Sequence, residues 1–188
     1  MLKIGIIVGS TRPGRKAETV ARWVLAHAAT RGDAEYSLVD LQAFPLPLLD
    51  EVSPPSLGRY EHPHTRAWAA EIGKYDGYVF ITPEYNHSIP AALKNAIDFL
   101  YAEWNDKAAG FVSYGSAGGV RAAEALRLVM GELQIADVRA QVTLSLATDF
   151  ERYTTFKPGP HHERPLKALF DQLISWAGAL QLLRQRRG

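Results

Sequence analysis

Short runs of apolar, largely β-branched residues alternate along this chain with longer stretches whose apolar residues recur at helical spacing. The short runs lie at 3–8 (KIGIIV), 36–39, 77–81 (GYVFI), 109–112 and 142–146. Continuous apolar runs of this length are typical of strands buried on both faces of a parallel sheet. The helical stripes lie at 16–28, 65–74, 90–100, 122–133 and 165–183. This alternation predicts an α/β fold, a doubly wound five-stranded parallel sheet with helices on both faces.

Length, charge and composition narrow the function classes. A chain of 188 residues fits one domain spanning 1–188. Its net charge of +1 creates no field that would recruit nucleic acid or an anionic membrane, so we expect neither partner. The absence of cysteine excludes disulfides, thiolate catalysis and iron–sulfur clusters. No apolar run approaches a signal peptide or a spanning helix, which predicts a cytoplasmic protein.

In open α/β sheets, ligands bind beyond the carboxyl ends of the strands, so the loops after the first, third and fourth runs are the candidate sites. The first loop, GSTRPGRK at 9–16, combines small residues with Arg12, Arg15 and Lys16 ahead of a helix N-terminus. This pattern predicts a phosphate cradle, although neither GxGxxG nor a P-loop is present. A turn with an N-capping hydroxyl and solvent-facing arginines is an equally good interpretation of this loop alone.

The other two loops carry groups suited to a planar heterocycle. TPEYNHSIP at 82–90 offers hydrogen-bonding groups and an aromatic side chain, and SYGSAGG at 113–119 has three glycines that free the backbone for close approach. The alternative for 82–90 is a turn with an N-cap, in which Tyr85 is ordinary packing, and the alternative for 113–119 is that its glycines only serve sharp turns. Five prolines between 44 and 63 predict a further long irregular loop, whose role stays open.

Three segments together resemble the NADPH-dependent FMN reductase family, whose relatives include quinone and azo-dye reductases. They are GSTR at 9–12, TPEYNHSIPAALKNAIDF at 82–99 and FVSYGSAGGVRA at 111–122. The resemblance implies a flavodoxin-like fold that binds FMN. The positions that it implies for FMN binding are Ser10, Arg12, Arg15, Lys16, Ala17, Pro83, Glu84, Tyr85, Asn86, Ser116, Gly118 and Gly119.

These positions divide by the part of FMN that the family would place on them. Ser10 and Arg12 would hold the phosphate, and residues 83–86 would border the ribityl chain and ring. Ser116, Gly118 and Gly119 would lie near the pyrimidine edge. Residues 15–17 depart from the Ser-x-Asn pattern of many relatives, but their two cations still suit a phosphate.

The resemblance also implies an activity. We expect NADPH (or NADH) to deliver hydride to bound FMN, and a quinone, free flavin or azo compound to take the electrons from the same face by a ping-pong sequence. Hydride transfer is the cofactor's chemistry, so no catalytic side chain is predicted. The alternative is a flavodoxin-type electron carrier that docks to protein partners. Such carriers are usually strongly acidic, whereas this chain is nearly neutral.

Two further groups of residues bear on assembly and metals. Phe99, Tyr101 and Trp104 are either core residues or, as the family resemblance implies, a subunit interface beside the flavin in a homodimer or homotetramer. The histidine pairs at 62/64 and 161/162 lack helical spacing and an acidic grouping, so no metal site is predicted.

Overall fold

A computed structural model describes residues 1–187; Gly188, the last residue of the predicted domain, and the side chain of Arg187 lie outside the described residues. Five parallel strands form one sheet in the order β2-β1-β3-β4-β5. The strands are β1 Leu2–Val8, β2 Ala34–Asp40, β3 Gly77–Pro83, β4 Lys107–Gly115 and β5 Ile135–Ser145. The predicted doubly wound five-stranded parallel sheet is therefore confirmed.

Helices cover both faces of this sheet. They are α1 Ala17–Ala29, α2 Pro63–Gly73, α3 Ala91–Asp98, α4 Val120–Glu132 and α5 Glu163–Arg187. The buried side chains of α1 and α5 pack in one apolar cluster, and those of α2, α3 and α4 pack in a second. Among residues 1–187, no helix combines the length and apolar character that crossing a membrane requires.

Some elements differ from the prediction, and each difference has a physical reason. Strand β5 begins at Ile135 rather than Val142, because most residues of its first half are partly or fully exposed at the sheet edge and so form no continuous apolar run. An antiparallel pair, β6 Phe150–Glu151 and β7 Thr155–Phe156, was not predicted, since two-residue strands carry no periodicity. The proline-rich segment 44–63 is irregular as predicted, apart from one turn of 3-10 helix at Pro55–Leu57 and the first residue of α2.

The aromatic cluster near α3 lies in the core of the chain. Phe99 and Trp104 are fully buried, and the Trp104 indole N–H donates to the carbonyl of Ile97 at 3.2 Å. The ring of Tyr78 meets Trp104 edge-on, with centroids 5.0 Å apart. The prediction that Phe99 and Trp104 form a subunit interface is therefore wrong, because the chain's own residues already cover them. Tyr101 stays partly exposed.

Candidate functional site

The loops that follow β1, β3 and β4 meet at the carboxyl edge of the sheet. The hydroxyl groups of Ser10 and Tyr85 share a hydrogen bond of 3.1 Å, which joins the first loop to the second. The Glu84 carboxylate accepts hydrogen bonds from Arg121 Nε at 2.6 Å and Arg121 N at 3.1 Å, which joins the second loop to the start of α4. Side-chain contacts thus connect the three loops into one site.

A cleft of about 250 Å³ opens between these loops. Its walls include the predicted site residues Arg12, Arg15, Lys16, Pro83, Glu84 and Tyr85. They also include Pro13, Gly14, Tyr114, Gly115 and Leu146. The cleft is polar at the first loop and has aromatic side chains on its second and third sides, the arrangement expected for a ligand with one charged end and one planar end.

The first loop gives the cleft a positive end. The side chain of Lys16, the N-cap residue of α1, does not cap this helix, so the positive end of the helix dipole lies at the cleft and suits an anion. Arg12 is exposed, and its guanidinium makes no ion pair within residues 1–187. Burial raises the pKa of Tyr114 above its ordinary value, while the Ala17 N–H and the nearby arginine charges act in the opposite direction. The Ala17 N–H and the two arginine charges therefore all lie near the Tyr114 hydroxyl group.

Arg15 has a different environment from Arg12. Its guanidinium donates to both carboxylate oxygens of Asp40, at 2.6 and 2.5 Å, and to the Ser10 carbonyl at 2.7 Å. Burial opposes ionisation of Asp40, but the hydrogen bonds from Arg15 and the Gln42 N–H outweigh it and hold the pKa of that carboxyl below its usual value. Arg15 therefore fixes the shape of the first loop against the end of β2.

A tight turn carries the middle of the second loop. The backbones of Tyr85 and Ser88 exchange two hydrogen bonds, of 2.9 and 3.0 Å, around Asn86 and His87. Both central residues have positive φ, 49° and 68°. This is the conformation of a primed hairpin turn, in which asparagine is well tolerated. Asn86 and His87 are exposed at the tip of the turn and do not line the cleft.

The third loop requires glycine. Gly119 has φ 72°, and a Cβ atom there would lie 2.7 Å from the Tyr114 backbone nitrogen. Ser116 and Gly118 line a separate groove of about 560 Å³ beside the ends of β4 and β5. Gly119 and Ser10 are buried and line neither space. The structure therefore places these four predicted residues around the cleft but outside its wall.

Sequence reasoning missed three residues near this edge. Tyr114 lines the cleft, and its position at the end of the fourth apolar run was an available signal. Asp40, the partner of Arg15, ends β2, where no ligand loop was expected. Asp149 hydrogen-bonds His162 at 2.7 Å. The expectation that no acidic group accompanies the histidine pair at 161/162 is therefore wrong.

The fold and the cleft together define the class of protein to which this chain belongs. A parallel sheet in the order β2-β1-β3-β4-β5, with an anion-suited cleft across the ends of β1, β3 and β4, is the arrangement of flavodoxin-like proteins. The chain belongs to the NADPH-dependent FMN reductase family, whose sequence model matches residues 2–149.

Individual relatives agree with this assignment. The chain is 42% identical over 149 residues to an NAD(P)H-dependent FMN reductase of Schizosaccharomyces pombe, covering 78% of this chain and 74% of the relative. It is 32% identical over 137 residues to a quinone reductase of Escherichia coli strain K12, covering 69% of each. The structure is similar in fold to FerB, an NAD(P)H:(acceptor) oxidoreductase of Paracoccus denitrificans, with TM-score 0.73, 20% identity and coverage of 95% and 98%.

The predicted family and enzyme class are confirmed by these similarities. The protein is an FMN-dependent NAD(P)H oxidoreductase, with FMN and a nicotinamide as its cofactors.

Proposed function

We propose that the cleft binds FMN with its phosphate at the N-terminus of α1 and its ring along the second and third loops. The observation that carries this proposal is the uncapped, cationic end of α1, which hydrogen bonds connect to the two loops that suit a planar ring. A terminal phosphate satisfies free N–H groups and positive charges together. FMN is favoured over FAD because the phosphate on the ribityl chain is terminal in FMN, whereas in FAD it is joined to a second phosphate.

Each cationic side chain has its own role in this proposal. Arg12 and Lys16 line the cleft without an ion-pair partner in residues 1–187, so both are available to the phosphate. Arg15, held by Asp40, positions the Ser10 carbonyl and keeps the loop in its binding shape. Ala17 begins α1 beside the phosphate position, with its N–H near the Tyr114 hydroxyl, and the buried Ser10 hydroxyl holds Tyr85 in place.

The second and third loops would surround the ring. Pro83 and Tyr85 supply flat surfaces in the cleft wall. The Glu84 carboxylate is held by Arg121 and by the first turn of α4, so it fixes the glycine loop in position rather than serving as a free acid. In this proposal the ring would extend past the cleft wall toward Gly118, Gly119, Asn86 and Ser116, which lie around the cleft.

When bound, FMN accepts hydride from the nicotinamide and passes two electrons to the acceptor. We propose that the nicotinamide and the acceptor use the same open side of the cleft in turn, a ping-pong sequence. A quinone, free flavin or azo compound fits as acceptor because each accepts two electrons at a planar conjugated system. The name of the Escherichia coli relative supports a quinone among these.

An absorbance spectrum of the purified protein, followed by anaerobic titration with NADPH, tests the proposal. We expect a bound flavin spectrum that one equivalent of NADPH bleaches and that added quinone restores. A protein that stays colourless with excess FMN, and quenches none of its fluorescence, contradicts the cofactor site. A bound flavin that NADPH leaves oxidised would favour the electron-carrier alternative.

Steady-state kinetics tests the shared side of the cleft. Plots at several acceptor concentrations should give parallel lines, because nicotinamide and acceptor exclude each other. Intersecting lines would reject the ping-pong sequence and leave the flavin site intact.

We further propose that the chain is one FMN-binding domain that acts in the cytoplasm as a homodimer or homotetramer. Cell fractionation and light scattering check location and assembly.

A further inference from the structure

We propose that Asp149, His161 and His162 bind a divalent transition-metal cation of the zinc class. The three residues offer one ligand atom each, and these atoms lie within 4.8 Å of one another. Ligand atoms of tetrahedral zinc are about 3.3 Å apart, because zinc–nitrogen and zinc–oxygen bonds measure about 2.0–2.2 Å. Because the His161 side chain is exposed, its ring can rotate and bring a nitrogen atom toward the other two ligand atoms. Two imidazoles and one carboxylate are a donor set typical of zinc.

The carboxylate of this cluster is already oriented by neighbouring groups. Asp149 Oδ2 accepts hydrogen bonds from the Ser145 N–H at 2.8 Å and from the Thr148 hydroxyl at 3.3 Å. Oδ1 accepts a hydrogen bond from His162 Nε2 at 2.7 Å, and a cation between these two atoms would take the place of that proton. Ligating carboxylates and histidines are usually held by such outer hydrogen bonds, which fix their direction. His162 Nε2 can act as a ligand when its ring proton is carried by Nδ1.

Gly159 provides space for the third ligand. Its φ of −73° and ψ of 157° suit any residue, so the backbone does not require glycine there. A Cβ atom at this position would lie 2.6 Å from both Cε1 and Nδ1 of the His161 ring. The glycine therefore lets the His161 ring lie against the chain beside His162, whose ring centroid is 4.0 Å away.

The cluster also has room for ligands that the protein does not supply. Asp149 and His162 are buried, whereas His161 is exposed, and all three line the 560 Å³ groove beside the ends of β4 and β5. Three protein ligands with an open side leave one tetrahedral position for water. A bound cation would link the segment after β5 to the segment before α5. It would thereby restrain the β6–β7 hairpin, which lies between them in the chain.

Calorimetric titration of the chelator-treated, FMN-loaded protein with zinc chloride tests this site. We expect one zinc per chain, no comparable binding of magnesium, and a higher melting temperature with zinc. His161→Ala should weaken zinc binding at least roughly tenfold and abolish the zinc-dependent melting shift. Because the His161 side chain is exposed, this substitution should leave the fold unchanged. Gly159→Ala should also weaken binding by displacing the His161 ring.

A second histidine pair supplies the matched control. His62 and His64 stack beside Asp50, with His64 Nε2 3.0 Å from the carboxylate, but within residues 1–187 only the cluster at Asp149 brings three ligand atoms together closely enough for one ion. His64→Ala should therefore retain zinc binding. Equal zinc affinity in the original protein and in His161→Ala would overturn the proposal. Loss of binding in His64→Ala alone, or equal binding of magnesium, would overturn it as well.

Discussion

Arg12 and Arg15 belong to the same loop, yet the structure gives them different surroundings. Arg15 is fixed by Asp40, while Arg12 is exposed and without an ion-pair partner in residues 1–187. An arginine that is already paired with a carboxylate contributes less binding free energy to a ligand than an unpaired arginine does. The sequence pattern could not separate the two, because Asp40 lies 25 positions from Arg15.

Replacing Arg12 should therefore weaken FMN binding directly. A charge-assisted hydrogen bond contributes about 1.5–3 kcal/mol, so Arg12→Ala should raise the dissociation constant of FMN roughly tenfold to a hundredfold. Quenching of FMN fluorescence measures this change, and added salt should reduce it. Arg22→Ala is the control, since Arg22 pairs with Glu18 on the exposed side of α1. Equal affinity in both variants would remove Arg12 from the phosphate site.

Lys107 is a buried cation outside the site. Its Nζ donates to the Tyr78 hydroxyl at 2.9 Å and to the Ile72 carbonyl at 3.1 Å. Burial lowers the pKa of Lys107 to about 8, and the nearby Arg184 charge acts in the same direction. Between about pH 8 and pH 10.5, the unfolded chain still binds the lysine proton and the folded chain does not. Stability from this group therefore rises with pH across that window.

The comparison with Lys107→Met measures this effect. The free energy of unfolding of the original protein should gain up to about 3 kcal/mol over that of the variant between pH 7.5 and pH 10.5. Urea unfolding of both proteins at several pH values provides the data. Lys94→Met, which removes an exposed ion pair with Asp98, should show no such trend. A pH-independent difference for Lys107→Met would show that its pKa is not lowered in the folded protein.

At the scale of elements, Trp104 packs the turn that follows α3 against the sheet. Its ring is fully buried among Tyr78, Phe80 and Trp68. Trp104→Ala should cost about 3–5 kcal/mol of unfolding free energy, because it leaves a cavity and removes a large apolar side chain from the core. Trp176→Ala on α5 should cost much less, since that side chain is 48% exposed. Denaturant unfolding distinguishes them, and similar losses would contradict the core assignment.

The elements also show how far sequence predicts structure here. Strands β1, β3 and β4 were predictable because both faces are buried and the apolar runs are continuous. The edge strand β5 and the pair β6–β7 were partly or wholly missed, because half-buried or two-residue strands leave weak patterns.

The site follows the same rule. Its three loops were predictable because parallel strands end at one edge. Its side-chain pairs were not, since Glu84 and Arg121 are 37 positions apart, and Asp149 and His162 are 13 apart. No local pattern joins residues at such separations. Only the folded sheet shows that Arg15 is already paired and that Asp149 completes a cluster.

At the scale of the whole molecule, the segment 44–63 presents apolar side chains to solvent. Leu48 and Val52 are each 84% exposed and Leu57 is 57% exposed. The segment is nevertheless held in place, since the Asn95 side chain donates to the Pro47 carbonyl at 2.6 Å and accepts from the Leu49 N–H at 3.0 Å. An ordered group of exposed apolar residues is typical of a protein–protein contact.

We therefore expect this segment, rather than Trp104, to contribute to the proposed homo-oligomer. Introducing charge with Leu48→Asp and Val52→Asp should shift the protein toward monomer in light scattering, because an apolar contact does not accommodate unpaired carboxylates. Leu128→Asp on α4 is the control: Leu128 is 82% exposed, outside the segment, and its replacement should leave the mass unchanged. An FMN spectrum checks that each variant still folds. An original protein that is a fully active monomer would reject this assembly, whereas an oligomer that survives both charges would place its interface elsewhere on the molecule.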